Sequence, residues 1–410
     1  MKFEDRISIF RSIRSNFVAP ITQSRVLLSS LKLPISDSSA LRTILLFLIL
    51  GASACSRITP PPISESTHGE MASQFRRAIK TAGGVEVWIK RTNRVHHGRN
   101  SEFSLQILAT PAGYRPVLSS VRQEAYKDHL DLGSTASAAP DGLHAVTLEV
   151  MQRTGEHVIQ IHLREVPRLL RAAIVIDDVG NDAEAAHKLA ALSYPLTFSV
   201  LPFVRFTESA AQDAHRNGHE VMLHLPMEPE PSGHISPGKG AILVGMGGTE
   251  VQKVVESDLA AVPYVVGVNN HMGSRATQNA ILMAEVMETL ANHHLYFIDS
   301  RTTAASVALE AARHHHLPAF YRTVFLDDTE TVEYTLGQLR DFRRTVEHEG
   351  VALAIGHPHA STISALEEFL PEFERADIEL VTPSQIVRLP EVAKLHPSTH
   401  AALEPSSKLR

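Results

Sequence analysis

The 410-residue chain has one cysteine and no excess of basic residues. Each of these facts excludes a structural feature or a class of partner. With Cys55 as the only cysteine, an intramolecular disulfide is excluded. Lys and Arg number 39 against 45 Asp and Glu, so the formal charge is −6 and nucleic acid is not an expected partner. Hydrophobic residues make up 43% of the chain, which is enough apolar material for a sizeable core.

The N-terminal region has the layout of a bacterial secretory signal. A basic stretch at 1–43 precedes an unbroken apolar run at 44–50, and small residues then lead to Cys55. We therefore predict that 1–55 is a signal segment and that the protein is exported to the cell envelope, in the periplasm. Small residues ending at cysteine resemble a lipoprotein signal, in which lipid on Cys55 would be the sole membrane contact. The alternatives are an ordinary signal cleaved near Ala54 and an anchoring helix, although a span requires about 20 apolar residues.

Composition divides the rest of the chain. The Pro- and Ser-rich segment 56–72 predicts a linker, and the polar segment 391–410 predicts a flexible tail. Rough apolar alternation in 73–167 predicts a small α+β domain of unknown role, ahead of the main domain at 168–390. The elements predicted in the small domain are a helix at 72–81, strands at 85–91, 103–109, 143–152 and 157–164, and a loop at 133–142.

From Arg171 onward, short apolar runs alternate with helical windows. This rhythm predicts seven or eight βα units, which fit a barrel-like (β/α) fold or a strongly curved parallel sheet. The alternative is an open doubly wound sheet, but no glycine-rich nucleotide turn follows the first strand. The predicted strands are 172–176, 196–201, 220–223, 265–269, 295–298, 319–325, 351–355 and 378–381.

Several of these runs end abruptly in Asp, His or Asn. Because the carboxyl ends of strands in a βα-repeat protein meet at one face, the endings predict a single pocket lined by carboxylates and imidazoles. That composition is typical of a metal-dependent hydrolase. The endings are Asp177-Asp178, His224, Asn270-His271, Asp299 and His357.

Asp177 and Asp178 close the first strand. Adjacent strand residues point to opposite faces, but the chain turns here, so both carboxylates can reach one pocket. Two neighbouring carboxylates separate in pKa, which suits one as a metal ligand and the other as a proton acceptor. The structural alternative is that Asp178 caps the next helix, a role that Asn181 and Asp182 can already fill.

The imidazoles follow the later strands. Pro226 and Pro229 exclude a helix here, so we expect His224 and Glu228 on a stiff loop at the end of the strand. The imidazole can bind zinc, and the carboxylate can complete or support the site. The small polar residues around Asn270 and His271 suit close approach of substrate or water. His357 and His359 lie together at the rim. The following residues are interpreted as structural: Arg322, Asp327 and Asp328.

Asp299 leaves two interpretations open. Its carboxylate could orient a histidine, or it could pair structurally with Arg301.

Five strings resemble the divergent polysaccharide deacetylase family (YibQ-like), a remote relative of the NodB-type carbohydrate deacetylases. The resemblance covers about Arg171 to Ser384 and implies a deacetylase-type fold. The strings are Ile-Val-Ile-Asp-Asp-Val-Gly, His-Leu-Pro-Met-Glu-Pro, Asn-Asn-His-Met-Gly-Ser, Phe-Ile-Asp-Ser-Arg-Thr and Ile-Gly-His-Pro-His.

The resemblance also implies roles. In the NodB-type enzymes, the first motif supplies a base and a metal ligand, which correspond to Asp177 and Asp178. The first histidine of their His-x-x-x-His pair corresponds to His224, but Glu228 stands where the second would be. His271 is our candidate for the missing imidazole.

The last histidine of the NodB-type enzymes, which protonates the leaving amine, corresponds to His357 or His359. We therefore expect a hydrolase that removes N-acetyl or other acyl groups from an envelope carbohydrate polymer or oligosaccharide. It would use one divalent ion, with Zn²⁺ expected. The alternatives are a metal-dependent phosphoesterase or amidase, and a non-catalytic envelope protein that binds glycan or a partner.

Overall fold

The computed structural model describes residues 65–97, 100–138, 142–230, 236–390 and 392. The predicted signal segment, Cys55 and nearly all of the predicted tail lie outside these residues. The described residues all belong to one compact unit, so the proposed boundary near residue 168 stays a prediction. None of the helices in the described ranges is both long and apolar enough to cross a membrane.

The first part of the described chain forms a five-stranded sheet of order β1-β2-β5-β4-β3, with two helices on one face. Along β5, Ile159, Ile161 and Leu163 are buried against the helices, whereas Gln160 and His162 lie on the other face and are half-buried. The elements are α1 Glu65–Gly83, β1 Val87–His97, β2 Asn100–Ala109, α2 Pro111–Lys127, β3 Asp131–Ala138, β4 His144–Met151 and β5 His157–Glu165.

Three details of this part differ from the sequence predictions. Helix α1 begins at Glu65, so the end of the predicted linker is helical. Helix α2 was not predicted, because Pro111 and Pro116 obscure its pattern; Pro111 occupies the first turn, where no intrahelical N–H is needed. Much of the predicted loop at 133–142 is strand β3, an edge strand with little apolar alternation that pairs with β4 alone.

The second part forms a parallel sheet of order β11-β10-β9-β8-β7-β6-β13-β12, with β14 also pairing with β6. The strands are β6 Leu170–Val179, β7 Thr197–Val200, β8 Glu220–Met227, β9 Val265–Met272, β10 Tyr296–Asp299, β11 Ala319–Tyr321, β12 Val324–Phe325, β13 Val351–Gly356 and β14 Ile378–Leu380. The helices are α3 Ala183–Ala190, α4 Thr207–Arg216, α5 Gly248–Ala261, α6 Ala280–Asn292, α7 Ala308–His314, α8 Val332–Glu349, α9 Ala360–Arg375 and α10 Pro383–Ile386.

The segment 319–325 curls this sheet. We predicted one strand here, but its first half pairs with β10 and its second half with β13, at opposite edges of the sheet. Between them, Arg322 N donates to Asp299 O at 3.0 Å and Thr323 N donates to Leu353 O at 2.8 Å. The two edges are thereby joined, and the predicted barrel-like α/β fold is confirmed as a curled parallel half-barrel.

The central strands of the curled sheet are buried on both sides over most of their length. In β6, Ile174 and Ile176 contact the outer helices, whereas Ala173 and Val175 belong to the core inside the curl. Burial on both faces explains why these strands read as continuous apolar runs.

Strand β8 is longer than predicted. His224 lies within it, so the prediction of a loop position is wrong. The neighbouring β7 pairs only as far as Leu223, and beyond it Met227 forms an isolated bridge with Ile242. This bridge uses Pro226 O as acceptor and Glu228 N as donor, so the N–H that Pro226 lacks is not needed.

Candidate active site

A cleft of about 480 Å³ opens at the carboxyl ends of the central strands. It contains six of the predicted site residues, together with neighbours from the loops that follow the strands. Its lining residues are Asp177, Asp178, His224, Asn270, His271, Met272, Ser300, Arg301, Thr302, Arg322, Phe325, Asp328 and His357.

A bulge brings two adjacent carboxylates to the same cleft. The pairing of β6 with β7 shifts register between Ile176 and Val179, and Asp178 adopts a positive φ of 56°. Bulges re-aim side chains in this way. As a result Asp177 is buried, whereas the Asp178 side chain stays 34% exposed.

Asp178, His224 and His271 place three ligand atoms in a tight triangle. Asp178 Oδ1 lies 3.1 Å from His224 Nε2 and 2.8 Å from His271 Nδ1, and the two nitrogens are 3.2 Å apart. Tetrahedral zinc with ligand distances near 2.1 Å separates its ligands by about 3.4 Å, so the triangle is close to the size that one ion requires. Asp178 Oδ1 is also buried without a hydrogen bond in the described structure, which leaves it available as a ligand.

The orientation of His224 is set by Asn269, a buried residue that sequence reasoning missed. Asn269 Oδ1 accepts hydrogen bonds from His224 Nδ1 at 2.7 Å and from Ser199 Oγ at 2.5 Å. Its Nδ2 donates to Asp177 Oδ1 at 2.7 Å. With its proton on Nδ1, His224 presents the Nε2 lone pair to the triangle, as metal-binding histidines do.

The charges of the triangle reinforce one another. Burial opposes ionisation of Asp178, but His224 and His271 outweigh it and hold the pKa of this carboxyl far below its ordinary value. Burial likewise opposes protonation of His224, and the carboxylates of Asp177 and Asp178 raise its pKa nonetheless. The site therefore attracts positive charge.

His357 faces the triangle from the end of β13. Its Nδ1 donates to Asp327 Oδ1 at 3.0 Å, and its Nε2 is 3.9 Å from Asp178 Oδ2. Burial lowers the pKa of His357, but the hydrogen bond to Asp327 and the nearby carboxylates raise it to about 9. Asp327 also accepts from His357 N at 2.6 Å and from Thr362 Oγ1 at 2.7 Å. Asp327 thus orients a histidine, which corrects its interpretation as merely structural.

Asp299 does not make the histidine contact that was one of its two predicted roles. Its Oδ1 accepts a hydrogen bond from Arg301 N at 2.8 Å, and its Oδ2 accepts one from Ser306 Oγ at 2.8 Å. It therefore stabilises the turn after β10, and the histidine-orienting role falls to Asp327.

Glu228 and His359 lie away from the triangle. Glu228 forms an ion pair with Arg275 and accepts a hydrogen bond from Val244 N at 2.6 Å, so it ties down the loop after β8. His359 is 3.7 Å from Glu330 at the rim. It also forms a second acid–imidazole group with Asp327 and His357, but both Asp327 oxygens already accept hydrogen bonds there.

Asn270 has a structural contact within the cleft. Its Oδ1 accepts from Ser300 N at 2.9 Å and its Nδ2 donates to Met272 O at 2.8 Å, which joins the ends of β9 and β10.

The curled parallel sheet, with acids and imidazoles at its carboxyl edge, is the architecture of deacetylase-type α/β proteins. Residues 174–387 match the family described as divergent polysaccharide deacetylase. The chain belongs to that family, which confirms the resemblance noted in the sequence.

The chain is also similar to two curated relatives and to one solved structure. Uncharacterized protein YibQ of Escherichia coli K12 is 34% identical over 231 residues, covering 56% of this chain and 72% of the relative. An uncharacterized protein of Haemophilus influenzae Rd is 33% identical over 211 residues, covering 52% and 74%. The crystal structure of uncharacterized protein ATU2773 from Agrobacterium tumefaciens C58 is 25% identical, with a TM-score of 0.52, covering 53% of this chain and 89% of that one.

Proposed function

We propose that the protein is a metal-dependent hydrolase that removes N-acetyl or other acyl groups from a cell-envelope carbohydrate. One observation carries the proposal: the ligand triangle, a buried carboxylate and an imidazole of raised pKa line the same cleft. Membership of a polysaccharide deacetylase family supports a carbohydrate substrate. Export to the envelope belongs to the same proposal and rests on the N-terminal sequence.

Asp178, His224 and His271 would hold the ion. A donor set of two imidazoles and one carboxylate suits Zn²⁺ and leaves a coordination position open. When bound, the ion would supply Lewis acidity, which lowers the pKa of water and polarises an acyl oxygen.

Asp177 would accept a proton from water in the cleft. Asn269 occupies its Oδ1, while its Oδ2 lies 3.7 Å from His224 Nε2 and makes no hydrogen bond to a described residue. The carboxylate therefore borders the triangle and keeps a free oxygen as proton acceptor.

His357 is placed to donate the second proton. Asp327 keeps the imidazole protonated at neutral pH through Nδ1, and Nε2 faces the cleft. As the bond between the acyl carbon and the sugar nitrogen breaks, His357 Nε2 gives its proton to the leaving amine. Water has then lost a proton to Asp177, and the products are the free carboxylic acid and the amine.

The decisive experiment combines metal analysis with acyl release. We expect about one divalent ion per chain and release of acetate from chitooligosaccharides or peptidoglycan. Asp177→Asn should keep the metal and the melting temperature but lower the rate by ~10²–10⁴-fold, because it removes the proton acceptor and preserves the shape. Asp341→Asn, at an exposed position of α8, is the matched control.

Three outcomes would contradict the proposal. Unchanged turnover of Asp177→Asn would rule out Asp177 as the base. Phosphate release without acetate release would favour the phosphoesterase alternative. Absence of metal and of all turnover would favour a glycan- or partner-binding protein.

A further inference from the structure

Two arginines and a serine, Arg301, Arg322 and Ser300, line the same cleft as the triangle. Arg322 is partly buried; its Nε donates to Ser300 O at 2.7 Å and its Nη2 donates to Arg301 O at 2.9 Å. Its guanidinium carbon also lies 5.0 Å from the centre of the Phe325 ring. These contacts fix the plane of the guanidinium beside the cleft.

Arg301 is held in place by a different set of contacts. Its φ is +50°, a left-handed conformation that is unusual for a residue with a side chain. The carboxylate of Asp299 stabilises this turn by accepting the Arg301 N–H, and the guanidinium carbon sits 4.1 Å from the centre of the Tyr321 ring. A strained backbone that is held by a dedicated hydrogen bond points to a role for the side chain it presents.

Neither guanidinium has an anionic partner. No carboxylate of the described residues lies within ion-pair distance of Arg301 or Arg322, whereas Arg275 and Arg171 are paired with Glu228 and Glu379. The Arg301 side chain makes no hydrogen bond in the described part of the chain, and Nη1 of Arg322 makes none either. The carboxylates of Asp328, Asp177 and Asp299 act on Arg322 only from beyond ion-pair distance. The unused guanidinium donors of Arg301 and Arg322 can therefore bind an anion that enters the cleft.

Ser300 adds an independent observation. It is 5% exposed, lines the cleft, and its Oγ is buried without a hydrogen-bond partner in the described structure. Unsatisfied buried hydroxyls are rare in folded proteins and indicate a missing acceptor.

We propose that the substrate carries an oxyanion, a carboxylate or a phosphate group, close to its acylated nitrogen. Arg301 and Arg322 bind this group, and the Ser300 hydroxyl donates one further hydrogen bond to it. The planar fork of arginine matches both kinds of oxyanion. The inference rests on the proposed function for the reacting group and names the substrate class: acidic acylamino sugars.

Binding is the test, because it can be read without turnover. The full-length protein, with and without added Zn²⁺, is titrated by calorimetry with three sugars: N-acetylglucosamine, N-acetylmuramic acid and N-acetylglucosamine 1-phosphate. We expect at least tenfold tighter binding of one or both acidic sugars, with a preference that shrinks as salt rises. The relative affinity of the two acidic sugars distinguishes carboxylate from phosphate.

Arg301→Gln is the informative variant, since the exposed side chain makes no hydrogen bond that folding could need. It should weaken binding of the preferred acidic sugar about threefold and leave the neutral sugar unchanged. Arg322→Gln should weaken binding of the preferred acidic sugar at least tenfold, and thermal melting checks that the variant is folded. Arg153→Gln, on the exposed turn after β4, should change nothing.

Equal affinity of the wild type for neutral and acidic sugars would overturn the inference, as would an equal loss for both in Arg301→Gln. Acidic-sugar binding without any acyl release would instead overturn the proposed hydrolase and leave this inference standing. Acyl release from neutral sugars alone would overturn this inference and leave the proposed hydrolase standing.

Discussion

Asp258 on helix α5 should make the stability of this protein fall as pH rises. The residue is fully buried, and neither carboxylate oxygen has a hydrogen-bond partner in the described structure. The backbone of Gly240 packs directly against it, since a Cβ added there would lie 2.2 Å from Asp258 Oδ1. Burial raises the pKa of Asp258 to about 8, although the charge of Lys239 opposes the rise.

The sign follows from proton binding. Between the unfolded value of 3.8 and about 8, the folded protein keeps a proton on Asp258 that the unfolded chain releases. The contribution of Asp258 to stability is therefore fully present below about pH 4 and is lost as pH rises through this window. Each pKa unit is worth about 1.4 kcal/mol, and local opening that hydrates the carboxylate limits the total, so we expect ~2–4 kcal/mol at pH 8.

Asp258→Asn removes the titration and keeps the shape. Its free energy of unfolding, from urea titrations at pH 4, 6 and 8, should match the wild type at pH 4 and exceed it increasingly at higher pH. Glu256→Gln, exposed on the same helix, is the control and should leave the pH dependence unchanged. A wild type whose stability does not fall between pH 4 and 8, relative to Asp258→Asn, would refute the reasoning.

Three further predictions concern the cleft. Asp327→Asn should move the basic limb of the pH–rate profile roughly one unit lower, because protonated His357 is the donor and Asp327 holds its pKa near 9; an unmoved limb would contradict this. Glu228→Gln should keep full metal occupancy and lose about 1 kcal/mol in urea unfolding, because it breaks the ion pair with Arg275; lost metal would make Glu228 a ligand. His224→Ala should remove most of the metal and still melt cooperatively, and full occupancy would contradict the ligand assignment.

Local sequence patterns were sufficient to predict the order of strands and helices in the curled sheet. Apolar runs of strand length between helical windows predicted the βα order, because burial on both faces of a parallel strand leaves a continuous signal in the residues themselves. The general rule for strand ends then placed Asp177, Asp178, His224, His271 and His357 in one cleft, and the structure brings these five together.

The sequence patterns gave wrong predictions where proline interrupts an element or where a strand lacks apolar alternation. Prolines hid helix α2 and led us to place His224 on a loop, although Pro226 lies in a strand whose one neighbour has already ended. Strand β3 was missed because an edge strand needs little apolar alternation.

The amino-acid sequence by itself determined which side chains stand at the strand ends, since that depends on residues only a few positions apart. The tertiary structure alone decided what those side chains touch. Asn269 bonds to Asp177 across 92 positions of the chain, and Asp327 rather than Asp299 meets His357 across 30. Such pairs depend on strand register and on the curl that joins β11 to β12, and both arise from packing of the whole sheet.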